Sequence, residues 1–372
     1  MATQVSVQGL AERLQATRTN FLETQAVNNP RNYQKVTGVL NYYLGSGLSG
    51  DNIKFIQRTN AENSNYREVE IIYMPYKGTN SVVTAATGFN CTAPNQRRKK
   101  IQTVEPELFF GDKDVLEESF IREVLEGNGA KDAELNRMFV EMMRNGRESM
   151  NAQLLSDHAT NFGSNPTPGD TAEPGVNAGT YKDVQLLKSD GTVDPANFDN
   201  ILNDVTDNYQ QGPIGLIGLG KLRKYQHLLA VGNVNDQGVD IREILAQFGM
   251  AFFADHDAQS TLGADKILAL YPGLSEVFWY NQYKGEFGMS ISQTQLRGTM
   301  PDPVFPQLEW DWDLKFDDGC ESDNSGQGTS GKWVLRVFLN FDVWRVNEDA
   351  FGDEYGSLNG FNGVTGYTVT QA

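Results

Sequence analysis

Apolar residues recur at steps of three and four along residues 133–162, which is the spacing of one face of an α-helix. The stripe consists of Leu135, Phe139, Met142, Gly146, Met150 and Leu154. Asp132 precedes it as a candidate N-cap, and Gly163 and Pro166 follow it as stop signals. Such a helix would span roughly 45 Å, whereas helices of globular proteins average about 11 residues. The pattern predicts either an ordinary core helix weakened at Gly146 or the spine of a flat, elongated subunit.

Two strand-like segments flank a long polar stretch ahead of this helix. Residues 66–75 and 101–110 are rich in β-branched and aromatic residues, as strands are. The polar stretch between them, 77–100, is longer than loops inside compact domains usually are. We therefore predict that residues 60–111 form an extended two-stranded loop that projects from the body. A short helix is expected within 112–131.

The first 50 residues carry apolar surface that is too small to fold alone. Val7, Leu10, Leu14 and Phe21 recur at the spacing of an amphipathic helix. A second apolar group follows, with Val36, Val39, Leu40, Tyr42, Tyr43 and Leu44. We predict that this region is an arm whose apolar side chains pack on a neighbouring subunit, since exposing them would leave an aggregation-prone patch.

The pattern of apolar and polar residues changes after a Pro- and Gly-rich link, 163–192, which contains one predicted short strand near 181–188. From residue 195 to 275, helical stripes alternate with short apolar strands, which is typical of a compact α/β unit. Its predicted strands are 213–219, 250–254 and 266–271.

Long strands fill the last third of the chain. In one of them, Leu308, Trp310, Trp312 and Leu314 alternate with Glu309, Asp311 and Asp313. The alternation predicts a half-buried strand with its carboxylates exposed. A second strand, 333–346, would pair with it as a long hairpin. The glycine-rich tail from residue 352 is expected to lie on a surface.

The net charge of −17 argues against a protein that binds the phosphate backbone of nucleic acid. Arg97, Arg98, Lys99 and Lys100 form the only tight basic cluster, which we interpret as a solvated loop or a contact to an acidic patch on another subunit. Two cysteines, Cys91 and Cys320, are no disulfide framework. No apolar run approaches the roughly 20 residues of a membrane span, and no signal peptide is recognisable, so we expect a soluble protein made in a cytoplasm.

A search for catalytic or binding motifs finds weak candidates. Gly215 to Lys221 matches part of a phosphate-binding loop, but Leu222 stands where Ser or Thr should bind magnesium, and a buried strand with glycines for close packing explains the segment better. The three histidines, His158, His227 and His256, lack metal-ligand spacing. The acidic run after residue 316 fails the EF-hand spacing. We predict no catalytic residue, no cofactor and no metal, and hence no enzyme.

One binding candidate stays open at the tryptophan strand. Glu309, Asp311 and Asp313 could supply a carboxylate pair that acts on a glycoside, or Trp310 and Trp312 could stack on sugar rings. An amphipathic strand explains the same pattern without a sugar.

Arm, hairpin excursion, spine helix, α/β insertion and strand hairpin follow one another in an order that resembles the major capsid protein of tailed bacteriophages. The resemblance implies an α+β, HK97-like capsid fold, which encapsulins share. Its parts would be an N-terminal arm (1–59), an extended loop (60–111), a peripheral domain with the spine helix (112–194), an axial domain (195–275), peripheral-domain strands (276–350) and a C-terminal tail (351–372).

The resemblance implies a structural role. Copies would assemble as hexamers and pentamers into an icosahedral head that encloses double-stranded DNA without reading its sequence. Leu10, Leu14, Phe21 and the basic cluster Arg97, Arg98, Lys99 and Lys100 would contribute to subunit interfaces. A separate scaffolding protein, a portal and decoration proteins would be partners, no membrane would be involved, and Met1 or Ala2 would begin the mature protein. The protein would assemble in the host cytoplasm and reside in the virion.

Two alternatives stay open beside the phage shell. One is another virion or tail structural protein, or an encapsulin-like compartment. The other is a carbohydrate-active enzyme or lectin that uses the tryptophan strand.

Overall fold

The structure is a computed structural model, and it describes residues 35–45, 53–57, 69–73, 100–104, 108–127, 129–162, 181–187, 189, 214–218, 250–271, 275–283, 289–292, 295–317, 332–345 and 363–371. The described helices are α1 (Gly38–Leu40), which continues as a π-helical turn over Asn41–Gly45, α2 (Glu118–Leu125), α3 (Gly129–Thr160) and α4 (Ala258–Leu262). The described strands are β1 (Ile53–Gln57), β2 (Val69–Tyr73), β3 (Lys100–Val104), β4 (Leu108–Leu116), β5 (Lys182–Leu187), β6 (Ile214–Ile217), β7 (Met250–Phe253), β8 (Lys266–Leu270), β9 (Ser275–Tyr280), β10 (Met289–Ser292), β11 (Gln295–Pro301), β12 (Glu309–Asp317), β13 (Lys332–Arg345) and β14 (Val364–Gln371).

The predicted long helix is confirmed as α3, an uninterrupted helix of 32 residues. At about 1.5 Å per residue it spans roughly 48 Å. Every residue of the predicted stripe is buried. The predicted N-cap is wrong, because the helix begins at Gly129 and Asp132 therefore lies in its first turn. At that position the negative carboxylate still interacts favourably with the helix dipole.

A six-stranded antiparallel sheet forms the largest layer of the described structure. Its order is β10-β11-β12-β13-β4, and β9 pairs with the far end of β13. The predicted hairpin is confirmed, since β12 and β13 pair antiparallel from Asp311 opposite Phe338 to Asp317 opposite Lys332. Residues 108–110, expected at the end of a hairpin strand, belong to β4 and pair with β13 instead.

Helix α3 packs on this sheet through the tryptophans of β12. The Phe139 ring meets the Trp312 ring edge-on, with centroids 6.0 Å apart. Trp310 and Trp312 are completely or almost completely buried. The apolar stripe of the helix and the apolar face of the strand, each recognisable in the sequence, thus cover one another.

A second sheet of five strands has the order β5-β14-β8-β6-β7. It is mixed, because β14 runs parallel to β5 and antiparallel to β8. The three predicted strands of the 195–275 region are confirmed as β6, β7 and β8. The predicted surface position of the C-terminal tail is wrong for residues 364–369, since β14 lies between two other strands and buries Val364, Tyr367 and Val369.

The predicted extended loop contains a three-stranded antiparallel sheet in the order β1-β2-β3. Val69 to Tyr73 pairs with Lys100 to Val104, which confirms the predicted pairing of two strands. The third strand, β1, precedes the predicted loop boundary at residue 60. The projection of this loop and the domain boundaries stay predictions.

The second half of the predicted arm packs inside its own subunit. Val39, Leu40, Tyr42 and Tyr43 are buried in the same core cluster as the α3 stripe. Our expectation that these side chains pack on a neighbour is therefore wrong. The sequence shows that a partner is required, and the structure shows that the partner is the chain's own long helix and sheets.

Candidate functional site

Asp255 caps the short helix α1 from a distant part of the chain. Its Oδ2 accepts hydrogen bonds from the backbone N–H groups of Gly38 (2.8 Å) and Val39 (3.2 Å). The Asn151 side chain of α3 donates to the same oxygen (2.7 Å), and its own Oδ1 accepts from the N–H of Leu40 (3.1 Å). The first N–H groups of a helix have no partner inside it. The local N-cap residue, Thr37, makes no capping bond with its side chain.

We call Gly38, Val39, Leu40, Asn151 and Asp255 the Asp255 junction. Asp255 is fully buried. Burial raises the pKa of its carboxyl group, and the hydrogen bonds from Asn151 and the backbone oppose that shift. The junction fixes where residues 38–40 meet the long helix.

A separate set of buried side-chain hydrogen bonds is centred on Tyr43. The Tyr43 hydroxyl lies 2.9 Å from Nε2 of His158 and 2.7 Å from the hydroxyl of Ser275. Burial lowers the pKa of His158 to about 3, so the imidazole is neutral at physiological pH. Tyrosine, histidine and serine side chains also occur together in catalytic sites, but Tyr43, His158 and Ser275 are all buried. These hydrogen bonds therefore serve to lock residues 41–45 in place.

Gly215 lets the neighbouring Tyr42 ring lie directly on β6. A Cβ atom at Gly215 would come within 2.4 Å of that ring. The Tyr42 hydroxyl donates to the carbonyl oxygen of Leu270 in β8 (3.1 Å). This confirms the interpretation of the glycine-rich segment as a buried strand with close packing; Gly220 and Lys221 lie outside the described residues.

Asp302 organises a second junction one helical turn away. Its Oδ2 lies 2.7 Å from Nη1 of Arg147 and accepts from the Trp310 indole N–H (2.9 Å). Its Oδ1 accepts from the backbone N–H groups of Val304 (2.8 Å) and Phe305 (3.0 Å). Arg147 and Asp302 are 4% and 0% exposed. We call these five residues the Asp302 junction; it ties the β11–β12 loop to α3.

Gly146 sits beside this junction and admits Trp310. A Cβ atom there would lie 2.5 Å from Cη2 of the indole. The glycine that weakens the helix in sequence terms is thus the position where the Trp310 ring lies directly against the helix.

Asp311 and Asp313 of β12 are buried, contrary to the sequence prediction, whereas Glu309 is partly exposed. Asp311 accepts hydrogen bonds from the backbone N–H groups of Gln282 (2.6 Å) and Tyr283 (3.2 Å). Asp313 forms an ion pair with Arg336 on β13, with Nε 2.7 Å from Oδ1. Burial raises the pKa of Asp311 to about 7. Residues 281–283 cover this face, so the strand is buried on both sides.

This burial removes the basis for a sugar site on the tryptophan strand. Trp310 and Trp312 are 1% and 0% exposed, and Asp311 and Asp313 are both 0% exposed. A ring cannot stack on an indole that already packs against α3, and a buried ion pair cannot act on a glycoside. The carbohydrate hypothesis is therefore wrong for these residues.

The predicted interface residues mostly lie outside the described residues. This holds for Leu10, Leu14, Phe21, Arg97, Arg98 and Lys99. Lys100 is placed by its backbone alone, opposite Tyr73 in the β2–β3 pair. Their proposed role in subunit contacts stays a prediction.

The remaining candidate ligands are not brought together. His256 is exposed and bonds to the adjacent Asp257 (2.9 Å), as expected of a loop histidine. His227 lies outside the described ranges. Within those ranges, no group of three or more His, Cys, Asp or Glu side chains is arranged to hold a metal ion. None of the helices there combines the length and apolar character that crossing a bilayer requires.

Sequence reasoning missed the two junctions. Arg147, Asn151 and His158 all lie on the buried face of α3. Polar residues that continue an apolar stripe at steps of four and seven are the signal that could have identified them. Asp255 and Asp302 gave no such signal, because each lies in a loop just after a strand, where aspartate is common.

No protein-family model matches the chain, and no curated protein matches it. Among solved structures, the chain is similar to the capsid asymmetric unit of cyanophage A-1(L), with 12% identity and a TM-score of 0.48 over 95% of this chain and 98% of that one. It is also similar to the capsid of Ralstonia phage GP4, with 10% identity and a TM-score of 0.39 over 93% and 98%. A third is the capsid of Myoviridae phage XM1, with 11% identity and a TM-score of 0.37 over 92% and 94%. All three are structures of phage capsids.

Proposed function

We propose that this chain is the major capsid protein of a tailed bacteriophage, whose copies assemble as hexamers and pentamers into an icosahedral head around double-stranded DNA. The observation that carries the proposal is helix α3, which runs unbroken for 32 residues and packs against both the segment 38–40 and the six-stranded sheet. Residues 38–45 dock on it through the Asp255 junction, and the six-stranded sheet packs along it. Such an arrangement suits a subunit that transmits mechanical force between its neighbours.

The order of elements supports the same proposal. A docked N-terminal segment, an antiparallel three-stranded element, the long helix, a separate five-stranded mixed sheet and the long β12–β13 hairpin follow in the order expected for a capsid subunit. The buried polar groups described above hold elements together and leave no open catalytic constellation among the described residues. The proposed role is therefore mechanical.

The charge of the chain fits an inner shell surface. A net charge of −17 repels the phosphates of packaged DNA, so the genome would be enclosed and not held. We propose the virion as the final location, with assembly in the host cytoplasm. A separate scaffolding protein, a portal and decoration proteins would complete the head.

Negative-stain electron microscopy of the purified full chain tests the proposal. Closed shells or five- and six-fold capsomers are expected. Folded protein that stays monomeric at every concentration would overturn it. Tubes, tail-like rings or small cages would overturn it too, in favour of another virion protein or an encapsulin-like compartment.

A further inference from the structure

The chain passes from one sheet to the other between β8 and β9. Strand β8 of the five-stranded sheet ends at Leu270, and β9 of the six-stranded sheet begins at Ser275. Among the described residues, no strand of one sheet pairs with a strand of the other. The relative orientation of the two sheets therefore depends on the passages of the chain between them and on the side chains packed there.

Two neighbouring tyrosines hold the two ends of this passage. The Tyr42 hydroxyl donates to the carbonyl oxygen of Leu270, the last residue of β8 (3.1 Å). The Tyr43 hydroxyl lies 2.7 Å from the hydroxyl of Ser275, the first residue of β9. The two tyrosine rings meet edge-on, with centroids 5.0 Å apart. Two adjacent residues thus bridge the point where the chain leaves one sheet and enters the other.

Each tyrosine also contacts the part of the molecule on its own side. The Tyr42 ring lies against Gly215 of β6 and meets the Phe253 ring of β7 edge-on, with centroids 5.5 Å apart. Both of these strands belong to the five-stranded sheet. The Tyr43 hydroxyl also lies 2.9 Å from Nε2 of His158 on α3, the helix that packs on the six-stranded sheet. The two side chains are therefore bound to opposite halves of the molecule.

The backbone around the tyrosines is itself held in place. Residues Asn41–Gly45 form a π-helical turn, a rare geometry that is frequent at functional sites. The Asp255 junction anchors the residues just ahead of this turn. Tyr42 and Tyr43 are 1% and 7% exposed. Removing either hydroxyl would leave a buried polar partner without its hydrogen bond, which is costly.

We propose that Tyr42 and Tyr43 form a lock that sets the relative orientation of the two sheets. We call these two residues, together with His158, Leu270 and Ser275, the tyrosine lock. While both hydroxyls are bound, the sheets keep one orientation. Loss of either hydroxyl releases one end of the passage, and the sheets then sample a second orientation. Domain movements of this kind pivot on a few residues at the ends of elements, as Leu270 and Ser275 are.

Pulsed electron paramagnetic resonance on the full chain measures this orientation. Cys91 and Cys320 are first changed to Ser. Spin labels are then attached through Gln153→Cys on α3 and Gln185→Cys on β5, two exposed positions that lie in the two parts joined by the lock. Labelled chain is diluted with an excess of unlabelled chain, so that only distances within one chain are recorded. With the lock intact, one narrow distance distribution is expected.

The test variants are Tyr42→Phe and Tyr43→Phe, which keep the rings and remove the hydroxyls. Each alone should broaden the distance distribution at least roughly twofold, because a second orientation becomes populated. The double variant should broaden it little further, since releasing one end already opens the lock. Such non-additivity marks residues that act as one unit.

Tyr283→Phe is the matched control. Tyr283 is a partly buried tyrosine beside Asp311 of β12, away from the lock, and its variant should leave the distance distribution unchanged. Broadening of the same size in this control would overturn the inference, since the effect would not be specific to the lock.

Three further outcomes would overturn the inference. Unchanged distributions in both single variants would show that packing of the core alone sets the orientation. Additive broadening in the double variant would show that the two hydroxyls act separately. A single variant that unfolds, as judged by far-ultraviolet circular dichroism, would show that the hydroxyl is needed for the fold itself. If only the double variant unfolds, the two single variants decide the test.

The inference does not rest on the proposed function, because the distances are measured within one chain. A chain that never forms shells or capsomers but shows the expected broadening contradicts the capsid role and leaves the lock intact. Shells formed by a chain whose distance distribution ignores both tyrosine variants contradict the lock and leave the capsid role intact.

Discussion

Two buried carboxylates hold the long helix one turn apart, and their charges are balanced in different ways. Asp302 faces a guanidinium, with Arg147 Nη1 at 2.7 Å. The donors described for Asp255 are neutral, namely backbone N–H groups and the Asn151 amide. Strand β12 repeats the contrast within two residues, since Asp313 pairs with Arg336 and Asp311 accepts from backbone amides.

The difference shows what each kind of site is sensitive to. A buried ion pair fails when one partner is removed, because the other charge is then left without compensation. A buried carboxylate among neutral donors tolerates protonation, and burial raises its pKa, as it does for Asp255 and Asp311. Mutation should therefore lower stability most at the buried ion pairs, and a change of pH should affect stability most at the buried carboxylates with neutral donors.

The largest effect is expected from Arg147→Ala. The change leaves Asp302 buried without its cation and should lower the free energy of unfolding by about 3–5 kcal/mol. Urea denaturation followed by tryptophan fluorescence measures this. Arg122→Ala is the control, because the exposed Arg122–Glu118 pair contributes less than about 1 kcal/mol. Equal losses in the two variants would contradict the assigned role of the Asp302 junction.

Asp311→Asn should remove a pH dependence. The Asp311 pKa is about 7 in the folded chain and about 3.9 when unfolded. Between these values the folded chain binds a proton that the unfolded chain lacks, so this group's stabilisation is present at pH 4 and lost as the pH rises through 7. The loss is of the order of a few kcal/mol, at about 1.4 kcal/mol per pKa unit.

Thermal unfolding from pH 4 to 8 checks this expectation. The unfolding midpoint of Asp311→Asn, relative to the unmodified chain, should increase with pH. Asp183→Asn, a change at an exposed position, is the control and should show a smaller change of this difference with pH. A constant difference for Asp311→Asn would mean that Asp311 ionises normally in the fold.

His158→Gln should act with the opposite sign and over a more acidic range. The His158 pKa is lowered to about 3, against about 6.5 when unfolded, so stability is lost as the pH falls from 6.5 towards 3. Glutamine can still accept from the Tyr43 hydroxyl but does not take up the proton. The variant should lose less stability than the unmodified chain between pH 6.5 and 4, as measured by urea midpoints.

The exposed His256 provides the comparison for this prediction. Because His256 is exposed, His256→Gln should change the acid-induced loss of stability less than His158→Gln does. If both histidine variants behave alike, the buried Tyr43–His158 contact does not govern the acid response.

The smallest expected effect is that of Gly146→Ala. Alanine favours a helix over glycine by about 1 kcal/mol, but overpacking against Trp310 costs about 1–3 kcal/mol, so a net loss of up to about 2 kcal/mol is expected. Gly129→Ala is the control, since nothing lies within 4 Å of a Cβ atom there. A stabilised Gly146→Ala variant would show that the indole can move aside and that the Asp302 junction is less rigid than its contacts indicate.

Local patterns predicted much of the fold. The α3 stripe, the β12–β13 hairpin, the paired strands of the extended loop and the three short strands of the second sheet were all recognisable from periodicity. Periodicity reports which face of an element is buried, and a long stripe leaves little choice of element. The helix boundary at Asp132 was wrong because capping depends on the surrounding backbone.

Only the tertiary structure decided which surfaces cover one another. The sequence by itself determined that residues 36–44 need a partner, that β12 has an apolar face and that Gly146 interrupts a helical stripe. It could not show that the partner is the same chain, that residues 281–283 bury the opposite face of β12, or that Trp310 fills the space at Gly146. These contacts join residues more than 100 positions apart in several cases, and a pattern within one element carries no information about what meets it from elsewhere. The two junctions are of this kind, because a buried aspartate is specified by the donors around it and those donors come from other segments.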